Sequence, residues 1–144
     1  MVKAIWFDMD GTIADFYGVE GWLEYIRNFD VTPYATAKPL LNFRVLARRL
    51  NALQRKGYTI GIISWSSKTS TAEYDRAVEI AKKEWLALHL PSVRFDFIEV
   101  TAYGVPKEKG RSGILFDDVE EIRNAWGEGA FPPSEILRVL KELA

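Results

Sequence analysis

Two aspartates separated by one residue, Asp8 and Asp10, are the side chains near the N-terminus best suited to chemistry. They follow a short apolar run, residues 4–7, and precede Gly11 and Thr12. Alternate side chains of an extended chain point the same way, so both carboxylates could face one ligand. Gly11 would let the backbone turn or approach that ligand closely without a Cβ. The alternative is an ordinary turn at a strand end, where Asp and Gly are common.

Other polar residues follow later apolar runs in the same way. Ser64 follows the run at 58–63, Lys107 lies in a loop containing Gly and Pro, and Asp117 and Asp118 follow the run at 113–116. The carboxyl ends of parallel strands meet at one edge of a sheet, which is where ligands bind. Four carboxylates gathered there would repel one another strongly, so we expect a cation among them.

The available ligand types favour Mg²⁺ as that cation. The chain has no Cys and one His, His89, which excludes thiolate and multi-histidine metal sites. We expect His89 to have a structural role at the end of a helix. Mg²⁺ prefers one or two carboxylates, water and substrate phosphate. With Lys107, such an ion could hold a phosphate group beside the acids, which indicates phosphoryl chemistry.

An alternation of strands and helices must position these residues. Apolar runs predict five strands, at residues 4–7, 58–63, 93–100, 113–116 and 130–131. Helical spacing predicts helices at 20–29, 40–56, 70–88 and 119–126, and a last helix capped by Ser134. In the third helix, Ser70 is expected to be the N-cap of a capping box with Glu73, and Leu88 to face inward. This alternation implies right-handed crossovers and a parallel sheet, so the predicted fold class is α/β with three layers.

Residues 16–39 interrupt this alternation with a segment of mixed character. Its aromatic residues are Phe16, Tyr17, Trp22, Tyr25, Phe29 and Tyr34. A small cap over the site would have this composition, and so would a helix that only covers the edge of the sheet. The sequence leaves both interpretations open.

The composition excludes several classes of protein. The 144 residues favour one domain, residues 1–144, and 48% apolar with 27% charged residues is ordinary for a soluble globular protein. The net charge of −1 provides no overall basic field for nucleic acid. No stretch is suited to a membrane span or a signal peptide, so we expect a cytoplasmic protein without a membrane partner.

Four motifs in this order resemble those of phosphatases of the haloacid dehalogenase superfamily. These have a strand ending in DxDGT or DxDGV, a strand ending in Ser or Thr, a Lys, and a strand ending in paired acids. The chain has FDMDGT, IGIIS, VPK and ILFDD, spread over residues 1–126. The resemblance implies a three-layer Rossmann-like sheet of about five parallel strands, order 3-2-1-4-5, with a small helical cap or flap at about 16–39.

One branch of that superfamily, the 5'(3')-deoxyribonucleotidases, is similar in two further respects. The chain has DMDGTIADF near its N-terminus, and Asp117 follows Lys107 by only ten positions. That branch uses aromatic residues of a small cap to hold the base. The resemblance implies that Phe16, Trp22 and Trp65 could do so here.

The resemblance also implies a role for each site residue. Asp8 would be the nucleophile that forms an aspartyl phosphate, and Asp10 the general acid and then the general base. Asp10 would bind Mg²⁺ through its backbone carbonyl, and Asp118 through water unless it orients Lys107 instead. The expected metal residues are Asp8, Asp10, Asp117 and Asp118. The expected phosphate-binding residues are Ser64, Lys107, Gly11, Thr12 and Trp65.

Some assignments stay open. Lys109 could replace Lys107, Ser66 or Ser67 could assist or replace Ser64, and Lys68 could also approach the phosphate. The predicted function is a Mg²⁺-dependent phosphomonoester hydrolase, a monomer or weak dimer, acting on a small phosphorylated substrate. A nucleotide is one candidate, and nucleic-acid ends are a less favoured one.

Two other functions compete with this prediction. One is a catalytically silent binding or regulatory protein that has kept the site. The other is a phosphoaccepting receiver module. Receivers place the acid pair after the first strand, whereas the pair here follows the fourth, which argues against that class.

Overall fold

A computed structural model describes residues 2–144, and a parallel sheet lies at its centre. The strands are β1 (Ala4–Phe7), β2 (Ala14–Asp15), β3 (Lys38–Pro39), β4 (Thr59–Trp65), β5 (Phe97–Thr101), β6 (Ile114–Phe116) and β7 (Ala130–Phe131). Five of them form the sheet, in the order β5-β4-β1-β6-β7, and all neighbours are parallel. In the numbering of the five predicted strands this order is 3-2-1-4-5. The predicted fold class and strand order are therefore confirmed.

Strand β1 occupies the centre because it is apolar on both faces. Ile5 and Phe7 point to one face and Trp6 to the other, and all three are at most 7% exposed. Phe7 pairs with Phe116 of β6. The apolar run ends before Asp8, so the first carboxylate after β1 lies at the carboxyl edge of the sheet.

Residues 2–144 contain six α-helices: α1 (Trp22–Arg27), α2 (Thr32–Thr36), α3 (Phe43–Arg55), α4 (Ala72–His89), α5 (Glu120–Trp126) and α6 (Ile136–Leu143). Helices α3, α4 and α6 share one hydrophobic cluster with Ile5 and Phe7. On the opposite face, α5 packs against a smaller cluster that contains Trp6. The molecule therefore has the three layers that the alternation of elements predicts.

The segment that interrupts the alternation, residues 16–39, is called the insert below. Its base is a short antiparallel pair, β2 with β3, and helices α1 and α2 lie between these strands. Phe16 and Tyr34 pack against Tyr74 and Val78 of α4. The Tyr74 hydroxyl also donates to the carbonyl of Asp30, at 2.7 Å. The insert is therefore fixed to α4 by both apolar and polar contacts.

Two predictions for α4 are wrong. Its N-cap is Thr71, whose hydroxyl accepts from the amide of Tyr74 at 3.1 Å, whereas the Ser70 hydroxyl bonds to the Thr71 carbonyl. Thr71 is the last residue with an extended backbone, so its side chain alone is placed to cap. Leu88 is 71% exposed, and Leu86 is buried in its place.

Two further predicted boundaries differ from the structure. Ser134 does not cap the last helix, since it lies within a 3-10 turn, Pro133–Glu135, and α6 begins at Ile136 without a side-chain cap. The third predicted strand begins at Phe97 instead of residue 93. Just before it, the carboxylate of Asp96 accepts from the Ile60 amide at 2.8 Å, where a strand would offer a carbonyl. The other predicted ends differ by at most three residues.

At the C-terminal end of α4, the His89 ring packs against two aromatic side chains. The His89 ring lies 4.5 Å from the ring of Trp85 and 6.4 Å from that of Phe43, measured between centroids. These contacts agree with the structural role predicted for His89.

Within residues 2–144, no helix has both the length and the apolar character that a membrane crossing requires.

Candidate active site

Asp8 lies at the carboxyl end of β1 with both side-chain oxygens engaged. Its amide donates to the carbonyl of Phe116 at 2.9 Å, which extends the pairing with β6 by one residue. Its Oδ1 accepts from Lys107 Nζ at 2.9 Å, and its Oδ2 accepts from the Thr12 hydroxyl at 2.8 Å. These contacts hold a 7% exposed carboxylate in one orientation.

The turn after Asp8 is tight, and its backbone conformation depends on Gly11. The carbonyl of Met9 accepts from the amides of residues 12–14, at 3.0 to 3.1 Å. Gly11 has a φ of +82°, and a Cβ there would collide with the Asp118 carboxylate. A glycine is therefore required both by the backbone conformation and by the close approach of Asp118.

Asp117 and Asp118 follow β6 and join this turn. Asp117 is fully buried, and its Oδ2 accepts from Lys107 Nζ at 2.7 Å. The amide of Asp118 donates to the Thr12 hydroxyl at 3.1 Å. Because that hydroxyl donates in turn to Asp8, Thr12 ties the end of β6 to the end of β1.

Lys107 is the lysine that enters the site. Its side chain is 2% exposed and bridges Asp8 and Asp117. Burial alone would lower the pKa of Lys107, but the two carboxylates raise it above its usual value. Lys109, the alternative, is exposed to solvent. The structure thus brings together Lys107 and the acids that the sequence analysis grouped with it.

Trp65 secures the loop that carries Lys107. Its indole N–H donates to the carbonyl of Val105 at 2.7 Å, and Lys107 Nζ lies 5.3 Å from the centre of its ring. The ring of Tyr103 packs against it, at 4.9 Å between centroids. Trp65 also lines the cavity described below, so it can contact a ligand as well as the loop.

Three carboxylates form a cluster suited to a metal ion. Asp8, Asp117 and Asp118 each offer one oxygen, and these oxygens lie within 4.8 Å of one another. Burial, together with the charge of Asp8, raises the pKa of Asp117 to about 6 and that of Asp118 to about 7. Lys107 brings one positive charge to three carboxylates that lie close together. An all-carboxylate donor set short of positive charge fits a divalent cation such as Mg²⁺.

The fourth predicted metal residue, Asp10, directs its side chain elsewhere. Its Oδ2 lies 3.1 Å from the Nζ of Lys82 on α4. Burial raises the pKa of Asp10, the charge of Lys82 opposes this increase, and the charge of Asp8 adds to it. Asp10 also lines the cavity, so its carboxyl group is suited to holding a proton next to a ligand.

The predicted hydroxyl donor, Ser64, does not face the cavity. It is 1% exposed, and its Oγ accepts from Lys82 Nζ at 2.6 Å. Within residues 2–144, the cavity wall includes Ser66, Ser67 and Lys68 but not Ser64. Both serines that the sequence analysis kept as alternatives line the cavity, although the Ser66 hydroxyl donates to Asp75 Oδ1 at 2.6 Å.

Lys82 is the site residue that sequence reasoning missed. It lies four residues after Val78 and four before Leu86, and both of these are buried. Lys82 thus occupies the apolar face of α4, where a charged side chain needs a specific partner. Its place within that stripe was the signal that could have identified it.

The cavity above these groups has a volume of about 700 Å³. Asp8, Asp10 and Lys107 line it together with aromatic side chains, several of which come from the insert. A cavity of this size and lining suits a small organic ligand. The aromatic residues of its wall are Phe16, Tyr17, Trp22, Tyr34, Trp65 and Tyr103.

Comparison with known proteins identifies the fold. No family model matches the chain, and no curated protein matches its sequence. Among solved structures, the D,D-heptose 1,7-bisphosphate phosphatase of Burkholderia thailandensis is similar, with a TM-score of 0.57 and 12% identity over 97% of each chain. At this identity the likeness shows the fold alone, and it confirms the fold that the resemblance of the motifs implies.

Proposed function

We propose that this protein is a Mg²⁺-dependent phosphomonoester hydrolase that works through an aspartyl phosphate on Asp8. The observation that carries the proposal is the convergence of Asp8, Asp117 and Asp118 with Lys107 at the carboxyl edge of the parallel sheet. Phosphoryl transfer requires positioning and charge compensation, and this arrangement can supply both. The fold shared with a protein named as a phosphatase is consistent with this activity.

Asp8, Asp117 and Asp118 would hold the metal, with the backbone carbonyl of Asp10 as a further ligand. The bound ion would offset the negative charge of the phosphate group. Lys107 would add a second positive charge next to Asp8, since its Nζ lies 2.9 Å from Asp8 Oδ1. Together these charges allow a phosphate to approach a carboxylate nucleophile.

The first step transfers the phosphoryl group to the protein. A carboxylate oxygen of Asp8 attacks phosphorus, and the bond from phosphorus to the leaving-group oxygen breaks. Asp10 donates its proton to that oxygen, so the leaving group departs as an alcohol. The pKa of Asp10, raised mainly by burial, favours the protonated form that this step requires.

The second step releases phosphate. Water attacks the phosphorus of the aspartyl phosphate, and the Asp10 carboxylate accepts the proton that this water loses. The products are inorganic phosphate and free Asp8, with Asp10 protonated again. Ser67, on the cavity wall, is a hydroxyl group that could contact phosphate oxygens, whereas the Ser66 hydroxyl donates to Asp75 Oδ1 at 2.6 Å.

The proposal includes a nucleotide as substrate, with the insert acting as a small cap. Tyr17, Trp22 and Tyr34 of the insert and Trp65 and Tyr103 of the core line the same cavity as Asp8. A base stacked on an aromatic ring gains about 1 to 3 kcal/mol per base. The test is a panel of nucleoside monophosphates, sugar phosphates and oligonucleotides phosphorylated at either end. A higher kcat/KM for sugar phosphates than for nucleotides would reject the nucleotide.

The test of the activity itself is hydrolysis of p-nitrophenyl phosphate. We expect the wild-type protein to hydrolyse it with Mg²⁺ and to lose this activity in EDTA. Asp8→Asn removes the nucleophile with little change in shape, so the rate should fall at least about a thousandfold. Asp30→Asn, an aspartate of the insert that does not line the cavity, serves as the matched control and should retain activity.

Each other result rejects a defined part of the proposal. Activity retained in Asp8→Asn would reject Asp8 as the nucleophile. Activity that persists in EDTA would reject the metal. Absence of Mg²⁺-dependent hydrolysis across the whole panel would favour a catalytically silent binding protein.

A further inference from the structure

The buried amine of Lys82 has three polar partners and no contact with solvent. Its Nζ donates to the Ser64 hydroxyl at 2.6 Å and to the Trp65 carbonyl at 2.8 Å, and it lies 3.1 Å from Asp10 Oδ2. An ammonium group has three protons, so these partners engage all of them. The side chain is 1% exposed.

The position of Lys82 separates it from the phosphate. Within the described chain, 2–144, it is not among the residues that line the cavity. The Tyr34 ring of the insert lies 5.1 Å from its Nζ. Lys82 therefore has no open direction toward a ligand, and any effect that it has on the reaction must pass through a residue that does line the cavity.

Three neighbours of Lys82 line the cavity, namely Asp10, Trp65 and Tyr34, and Asp10 is the one to which the proposed mechanism assigns proton transfer. Lys82 joins α4 to the end of β4, through Ser64 and Trp65, and to the turn after β1, through Asp10. Because the ammonium group occupies Oδ2 of Asp10, the proton for a leaving group has to be carried on Oδ1. The ion pair thus selects one oxygen of the carboxyl group and fixes the direction in which it can donate.

We propose that Lys82 is a positioning residue that holds Asp10 in the orientation needed for proton transfer to the leaving group. This inference rests on the proposed function, because it assigns the reaction to Asp10. A displacement of about 1 Å in a reacting group can cost on the order of 100-fold in rate. Loss of the ion pair would release the Asp10 side chain to rotate, and a loss of this size is expected where proton donation matters.

The experiment compares two phosphomonoesters that differ in their need for a proton. The p-nitrophenolate group leaves readily without protonation, whereas the alcohol of glycerol 2-phosphate does not. In Lys82→Met, we expect kcat/KM to fall about 100-fold for glycerol 2-phosphate and by less than about fivefold for p-nitrophenyl phosphate. Lys83→Met changes the neighbouring surface lysine, whose partner is Glu79, and should alter neither value.

A second set of variants decides the case if Lys82→Met does not fold. Asp10→Asn combined with Lys82→Met removes both charges of the pair, so no uncompensated charge is left buried. If Lys82 acts only through Asp10, the double variant should be within about twofold of Asp10→Asn on glycerol 2-phosphate. Losses that multiply would show that Lys82 acts independently of Asp10, and would overturn the inference.

The outcomes also distinguish this inference from the proposed function. If the wild-type protein hydrolyses neither ester with Mg²⁺, the proposed function fails, and this inference fails with it. If the wild-type protein hydrolyses both and Lys82→Met loses the same factor on both, the inference alone fails. A loss confined to glycerol 2-phosphate supports it, because a general structural defect would affect both esters equally.

Discussion

At Gly11 the backbone approaches the acids after β6 so closely that no side chain fits. The residue has a φ of +82°, and a Cβ would meet the carboxylate of Asp118. The motif predicted a glycine that allows close approach to a ligand. The structure shows that the group it approaches is another residue of the candidate metal cluster.

We therefore predict that Gly11→Ala displaces Asp118 and weakens the Mg²⁺ response at least about tenfold, measured as the concentration that half-activates hydrolysis. Gly57→Ala is the matched control, because Gly57 also has a positive φ, +98°, but has nothing within 4 Å of the added Cβ. Both variants should lose about 1 kcal/mol of stability from backbone strain. Equal Mg²⁺ requirements in the two variants would contradict the prediction.

The residue scale is where sequence reasoning succeeded and failed most clearly. Asp8, Asp117 and Lys107 were predicted to meet, and they do, because their motifs follow strands whose ends share one edge. Ser64 was predicted to face the phosphate, but its hydroxyl is taken by Lys82. That contact depends on the rotation of α4 against β4, which no local pattern specifies.

At the scale of elements, α4 connects the site to the insert. It provides Lys82 to the site and Tyr74 to the insert, and its face between them is apolar. The residue at which α4 begins helps to fix which of its side chains point toward the sheet and the insert. The sequence analysis predicted Ser70 as the cap, and in the structure the cap is the next residue, Thr71.

The cap gives a prediction about stability. Thr71→Ala removes the acceptor of the Tyr74 amide and should lower the free energy of unfolding by about 1 kcal/mol. Ser70→Ala, the adjacent hydroxyl, should change it by less than about 0.5 kcal/mol, since surface substitutions away from such features have small effects. Urea denaturation followed by circular dichroism measures both. A larger loss of stability in Ser70→Ala than in Thr71→Ala would show that Ser70 is the cap.

At the scale of the whole molecule, folding assembles acids that repel one another. Burial and the charge of Asp8 raise the pKa of Asp117 to about 6 and that of Asp118 to about 7, whereas unfolded aspartates titrate near about 4. Between these values the folded state holds protons that the unfolded chain has released. The metal-free protein should therefore lose stability as the pH rises from about 4 to about 7.

Mg²⁺ competes with those protons, so its effect should depend on pH. We predict that it raises the melting temperature clearly at pH 8 and little at pH 5, as measured by calorimetry. Asp118→Asn should raise the free energy of unfolding of the metal-free protein at pH 8 by about 1 kcal/mol after solvent screening, which also raises its melting temperature, and should remove most of the Mg²⁺ effect.

The control for this experiment is Glu121→Gln. Glu121 lines the cavity but is not part of the acid cluster, so this variant should keep the full Mg²⁺ effect. A Mg²⁺ effect of equal size at pH 5 and pH 8 would contradict the assignment of the metal to Asp117 and Asp118.

The sequence by itself determined the five strands of the central sheet, the helices that alternate with them, and the position of Asp8 and Asp117 at strand ends. Apolar periodicity and residue type are local properties, and a parallel sheet converts them into a shared edge. Only the tertiary structure decided which hydroxyl groups line the cavity and that Lys82 pairs with Asp10. These choices depend on how α4 and the insert pack against the sheet, and packing between distant segments is set by the shapes of all their side chains together.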